Sequence, residues 1–278
     1  MKKIMLTLLI GLMVLSSQAQ ELPRPSPLGK VSQIVGVTEV SLEYYRPGAK
    51  DRVVFGELVP YGKIWRFGAN ACTKITTTDA LKFGKNTLKP GTYSIFAFPG
   101  EDGNWEFAFN TDIEQGGTTD YTAEKDVFRV TAKAEKNSFT ETFTLGFDNI
   151  RSGSADLVME WENLKVAIPF TVNTNEIAEK NIKAAIAKGE NLGDVYNNAA
   201  NYYYSSMDDA KQALELVEKS IKIEEGYRNL FLKARIIADM GEKAKAITYA
   251  EKALALAKAA DNKGYTNFIS GTIANWKK

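Results

Sequence analysis

"TYSIFAFPGEDGNWEFAF", residues 92–109, decides the fold of the first half of this chain. Two aromatic-rich runs flank a turn. In the first, Tyr93, Ile95 and Ala97 alternate with Ser94, Phe96 and Phe98. Both faces are apolar, which predicts a strand covered on both sides and therefore central in its sheet. In the second run, Trp105, Phe107 and Phe109 share one face. Asp102-Gly103 lies between them, a hairpin signal because glycine reaches positive φ without steric cost.

Outward from this hairpin the period stays near two. "TEVSLEY" (38–44), "TKITTT" (73–78), "ETFTLGF" (141–147), "ADLVMEW" (155–161) and "KVAIPFTV" (165–172) all read as strands. "RSGS" and "ENL" read as turns between the last three. Residues 24–172 are thus expected to form an all-β antiparallel domain, sandwich or barrel-like.

From about residue 175 the period becomes helical. Asn175 is a candidate N-cap, and Ile182, Ala185 and Ile186 form an apolar stripe. Further helices are predicted near 193–205, 208–223, 227–240, 243–258 and 264–277, with Gly226, Gly241 and Gly264 at the breaks as left-handed termini. "QALELVEKSIKI" (212–223) aligns with "KAITYAEKALAL" (245–256), pairing Ala213 with Ala246 and Asn201 with Ala234. A helix pair repeating at this length is similar to the tetratricopeptide repeat, although no proline closes either copy. The fold class is therefore α+β and multidomain: an all-β domain, then an all-α helical-hairpin repeat domain over 175–278.

The first nineteen residues read as a secretory leader. Lys2 and Lys3 precede an apolar run from Ile4 to Leu15, and Ser17 and Ala19 are small residues placed for cleavage. The expected location is the periplasm or the exterior, with no membrane span after cleavage. Loss of Lys2 and Lys3 takes the formal charge from +1 to −1. That balance does not suit a nucleic-acid partner. Only one cysteine, Cys72, is present, so no internal disulfide can form in an oxidising compartment.

The 278-residue chain contains no histidine. Imidazole-dependent nucleophilic triads are excluded, and the commonest metal ligand is missing. A single cysteine cannot build a thiolate metal centre, and no phosphate-cradling glycine loop is present. No metal and no cofactor are expected. Carboxylate chemistry remains open, since two acids suffice for glycoside cleavage. The candidates are Glu57, Asp102, Glu106, Asp148, Glu160 and Glu162.

"YYRPGAKDRVVFGELVPYGKIWRFGAN" (44–70) has little periodicity and much turn chemistry. With "SPLGKVSQIVG" (26–36), "PGTYSIFAFPG" (90–100), "WEFAFN" (105–110) and Trp161, it resembles domain of unknown function 2911, a family of exported bacterial proteins found especially in Bacteroidetes. The resemblance implies a β-rich exported domain with no established activity, and leaves the helical tail as an appended module. Phe67, Ala71 and Cys72 depart from the family's usual threonine and glutamate-alanine pair.

Two readings of residues 45–70 follow. In one, the arginines bond loop carbonyls or stack on rings, and Trp65 anchors the core. In the other, Arg46, Arg52, Arg66 and Asn70 converge with Tyr61 and Trp65 on a pocket for a small anionic or sugar ligand. A sugar-binding variant would use Trp65, Trp105 and Tyr61 as a stacking platform. In the tail, Asn197, Asn201 and Tyr203 are candidates for gripping a protein partner in a groove. The functional expectation is a non-enzymatic binding or assembly protein of the cell envelope. The alternative is a carboxylate-dependent hydrolase or a carbohydrate-binding module.

Overall fold

The computed structural model describes residues 22–278. The expected leader at 1–19 lies outside them. The chain divides into two compact units. One holds residues up to 33 with 40–150 and 155–170, and the other holds 34–39, 151–154 and 171–278.

The β half has nine strands: β1 (Leu28–Val35), β2 (Thr38–Tyr45), β3 (Thr73–Thr77), β4 (Leu81–Phe83), β5 (Asn86–Leu88), β6 (Gly91–Phe98), β7 (Asn104–Asn110), β8 (Asp126–Asp148) and β9 (Ser154–Val172). They form one sheet in the order β1-β2-β3-β6-β7-β8-β9-β4-β5. As its pattern requires, β6 is internal, antiparallel to β3 and to β7. Ser94, Ile95, Phe96 and Ala97 are all buried. Ile95 stands opposite Phe109 and Ala97 opposite Phe107. Phe96 and Ala108 occupy the other face with Cys72, where Ile64, Phe98 and Tyr121 pack over them. The β6–β7 loop closes with the Gly103 N–H on the Gly100 carbonyl, and Gly103 at φ +82°.

The long strands depart from the sequence expectation. β8 runs unbroken for 23 residues, and its first part, Asp126 to Lys133, pairs with β7. Its second part, from Ala134 on, pairs with β9. One strand therefore links two layers, and the sheet folds over on itself as sandwich-like packing. "ENL" is not a turn. β9 runs straight through it, with Glu162 at φ +53° opposite Thr140. Register shifts on either side of Thr140 mark bulges, which place one polar, irregular residue without ending a strand. β1 and the short β4–β5 hairpin carry weak period-two signals and were not expected.

The β core is a set of interlocked rings. Trp65 stacks on Trp161 at 5.9 Å, and Phe143 meets both edge-on at 5.3 and 5.5 Å. Phe67 bridges Phe107 and Phe143 at 5.3 and 5.6 Å. Phe83 of β4 packs on Phe109 of β7 at 4.7 Å. Edge-to-face pairs of this kind contribute about 0.5–1.5 kcal/mol beyond their buried area.

Six helices follow: α1 (Thr174–Lys188), α2 (Leu192–Ser205), α3 (Ala210–Ile223), α4 (Tyr227–Asp239), α5 (Lys243–Ala259) and α6 (Lys263–Trp276). The paired alanines of the internal alignment, Ala213 and Ala246, are both fully buried. Ala250, Ala253 and Ala257 continue the buried stripe of α5 against Leu230 and Phe231 of α4. Small side chains there let the helix axes approach closely. The cap of α1 is Asn173, not Asn175. Of the three break glycines only Gly241 is left-handed, at φ +92°. Gly226 is an extended N-cap whose N–H donates to Asn229 Oδ1, and Gly264 lies inside α6.

Truncating Trp161, 1% exposed, to alanine removes the ring on which Trp65, Phe55 and Phe143 pack. Denaturant unfolding of Trp161→Ala is expected to show a loss of about 3–5 kcal/mol. Phe139→Ala, at a 59% exposed site, should stay within about 0.5 kcal/mol of the parent.

Candidate functional site

Most of the arginine-rich stretch is spent on holding its own loop. The Arg46 guanidinium donates from Nε to the Phe143 carbonyl (3.2 Å) and from Nη2 to Thr144 Oγ1 (2.9 Å). Arg52 donates to the carbonyls of Ala49 (2.9 Å) and Gly48 (2.7 Å). The Ala49 N–H and the Lys50 N–H bond the backbone and side chain of Glu141 on β8. These bonds hold Lys50 and Asp51 in left-handed conformations, φ +51° and +58°, that ordinary residues rarely adopt. Trp65 exchanges two 2.8 Å backbone bonds with Ala97, and its Nε1 donates to the Gly68 carbonyl. Asn70 donates to the Ser26 carbonyl at 3.3 Å, and Tyr61 lies against Gly56.

Arg66 differs from its neighbours. Its side chain makes no ion pair or hydrogen bond to any described residue, and its Nε is shielded from solvent. With Trp65 it lines a pocket of about 180 Å³, which Arg46, Arg52, Tyr61 and Asn70 do not line. Of the six proposed ligand residues, the structure therefore brings two to a common cavity. Trp105 is fully buried and Trp65 is 9% exposed, so both ring systems stack on protein rather than facing solvent.

Cys72 sits beside this arginine. Its thiol is 3% exposed and donates to the Gly117 carbonyl at 3.3 Å. Burial pushes it up from 9.0 to about 11, against the opposing pull of Arg66. The loop above it is tied down by a network that the sequence did not disclose. Tyr121 donates to Asp126 (2.6 Å), Arg129 bonds both, and Asn110 donates to the other Asp126 oxygen (2.9 Å). Burial, then the bond to Asp126, pushes Tyr121 up to about 12. Tyr121, Asp126 and Arg129 pair within one stretch of chain, and Asn110 joins them only once β7 and β8 are adjacent.

Among the candidate acids, Asp102 is held by Asn104 and Glu106 by Arg129. Glu162 accepts from the Val54 N–H. Asp148 and Glu160 do come together, each on Lys165 at 3.4 and 3.7 Å. The Asn149 N–H, then Lys165, holds Asp148 below its ordinary value. A general acid needs the opposite shift.

In the helical unit, alternate helices line one groove. Asn197, Asn198 and Asn201 of α2 face Arg228, Phe231 and Arg235 of α4, and Tyr265 and Phe268 of α6 close the far side around about 230 Å³. A second pocket of about 370 Å³ adjoins it and shares Asn197 and Arg228. The Asn197 Oδ1 is shielded from solvent and accepts no hydrogen bond. Neither arginine has a carboxylate within ion-pair distance among the described residues. Arg235 lies over the Tyr204 ring at 5.0 Å. Phe268 is 57% exposed, with its edge on Phe231 at 5.1 Å. The consecutive tyrosines go three ways, and none is fully exposed. Tyr202 donates to Asn175, Tyr203 packs against the α2–α3 core away from the groove, and Tyr204 donates to Asp239.

Residues 26–170 fit the model of the family described as "Protein of unknown function (DUF2911)". No curated protein and no solved structure matches the chain.

The displaced thiol has a kinetic consequence. A rise from 9.0 to about 11 leaves roughly a hundredfold less thiolate at neutral pH. Alkylation of Cys72 in the native protein should therefore run at least about a hundredfold slower than in denaturant. The same shift makes stability depend on pH. Its contribution is complete below the unfolded value of 9.0 and is lost as pH rises toward about 11. Cys72→Ala should flatten part of that alkaline decline, measured as melting temperature against pH. Native alkylation as fast as unfolded would contradict both expectations.

Proposed function

Because the chain belongs to the DUF2911 family, whose description assigns no activity, we propose a function from its own surfaces: an exported envelope protein that grips a partner through its helical tail. The observation that carries this is the groove between α2, α4 and α6. It combines exposed aromatic surface, two arginines lacking counter-charges and an asparagine oxygen with no donor. An extended peptide supplies what each lacks. Backbone N–H groups suit the Asn197 oxygen, and acidic side chains suit Arg228 and Arg235. The tetratricopeptide-like reading of the repeat is consistent with such a groove.

The leader-like sequence at 1–19, with its charged start, short apolar run and small residues, supports export to the periplasm or beyond. No helix among the described residues is long and apolar enough to cross a membrane. The carbohydrate-platform reading is weaker, because the rings of Trp65 and Trp105 are covered. The hydrolase reading has one acid pair, Asp148 and Glu160, and the single Lys165 ammonium bridges both on a partly exposed strand face.

Panning the full chain against a library of extended peptides is expected to enrich acidic sequences with aromatic neighbours. The double variant Arg228→Glu/Arg235→Glu should lose that binding at least about tenfold, a difference of about 1.4 kcal/mol. Because the reversal also removes Arg235 from the Tyr204 ring, circular dichroism checks that the double variant keeps its fold. Binding that is indifferent to the charge reversal would remove the groove from the function.

A further inference from the structure

We infer that the pocket beside Arg66 in the β unit is a binding site for a small organic carboxylate with a short apolar body. The inference is independent of the helical groove. It starts from a charge balance that the protein leaves incomplete. Arg66 is half-buried with its Nε shielded from water, and a guanidinium nitrogen held in that way is costly unless something bonds it. Arg46 and Arg52, a few residues upstream, have carbonyl and hydroxyl partners. Arg66 has none among the described residues, and its Nε is buried. Lys63, the second cation of the same pocket, is exposed and has no ion-pair partner among the described residues. No Asp or Glu lines the cavity. Its third polar group is the Thr118 hydroxyl, able to donate to an oxygen anion.

The walls determine what carries the anion. Val59, Pro60 and Ile64 are apolar, so the site suits a carbon body more than a fully hydrated inorganic ion. The cavity is about 180 Å³. It has room for a ligand of a few carbons and one charged head. A planar guanidinium fork matches a carboxylate in two parallel bonds.

The site is also rigid before any ligand arrives. Trp65 is locked to Ala97 by two 2.8 Å bonds, the Gly62 N–H bonds the Pro99 carbonyl, and the Thr73 N–H bonds the Arg66 carbonyl. The wall residues need not be ordered on binding, which removes one of the main costs of affinity.

Isothermal titration of the purified full chain tests this with butyrate, glucuronate, inorganic phosphate and butanol. The expected result is saturable butyrate binding that weakens with salt. Arg66→Gln should weaken it at least about tenfold, while Lys136→Gln, on an exposed stretch of β8, leaves it unchanged. Glucuronate binding through the same arginine would extend the class to sugar acids. Circular dichroism checks that Arg66→Gln folds. Should it not fold, Lys63→Gln/Thr118→Val provides the same reading from the pocket mouth. The inference fails if butyrate binds Arg66→Gln as it binds the parent, if phosphate or butanol binds as tightly as butyrate, or if no member of the panel binds.

Discussion

Trp65 and Trp161 lie nearly parallel, 21° apart, with the rings of Phe55, Phe67 and Phe143 packed edge-on around Trp65. The rest of the β unit depends on that packing. Trp161 comes from β9, Phe143 from the second part of β8, and Trp65 from the long irregular passage between β2 and β3. A loop would ordinarily stay on the surface, because its backbone polar groups need partners. Here the passage carries three rings, Phe55, Trp65 and Phe67, into the core, and its polar groups must be satisfied there. That is why Arg46, Arg52, Glu141 and the Trp65–Ala97 bridge are occupied with carbonyls and amides.

This constraint divides the arginines. Those needed to close the loop backbone lose their freedom to meet a ligand. Arg66 follows Trp65 directly, and successive side chains of an extended segment point to opposite sides. Trp65 packs inward at 9% exposure while Arg66, half-buried, borders the same pocket near Cys72. The same alternation explains why two adjacent residues with the same motif prominence have different roles.

In the helical unit the division falls between faces of each helix. The α2–α3 core takes Ala199, Ala200 and Tyr203, leaving Asn197 and Asn201 to the groove. Ala234, the internal-alignment counterpart of Asn201, is buried, so the two copies are not equivalent. Three arginines without an ion pair among the described residues lie on such leftover faces, Arg66 in one unit and Arg228 and Arg235 in the other. The chain's near-zero net charge conceals them, because a total says nothing about local pairing.

Period-two and helical patterns were legible wherever burial was strong: β6, β7 and every helix followed them, as did the two-part layout. The edge strand β1 and the β4–β5 hairpin were not, because half-exposed or very short strands leave little alternation to read. The "ENL" segment misled because bulges and turns draw on the same polar residues, and only pairing with β8 distinguishes them. Of the site, the residues named in the arginine stretch were legible as a cluster of chemistry, but not which of them would be free. By itself the sequence determined the strongly patterned strands and helices, the absence of histidine and the family. Only the tertiary structure decided which charges found partners, because hydrogen-bond satisfaction of a loop is settled by strands up to a hundred residues away, such as Phe143 and Thr144 with Arg46.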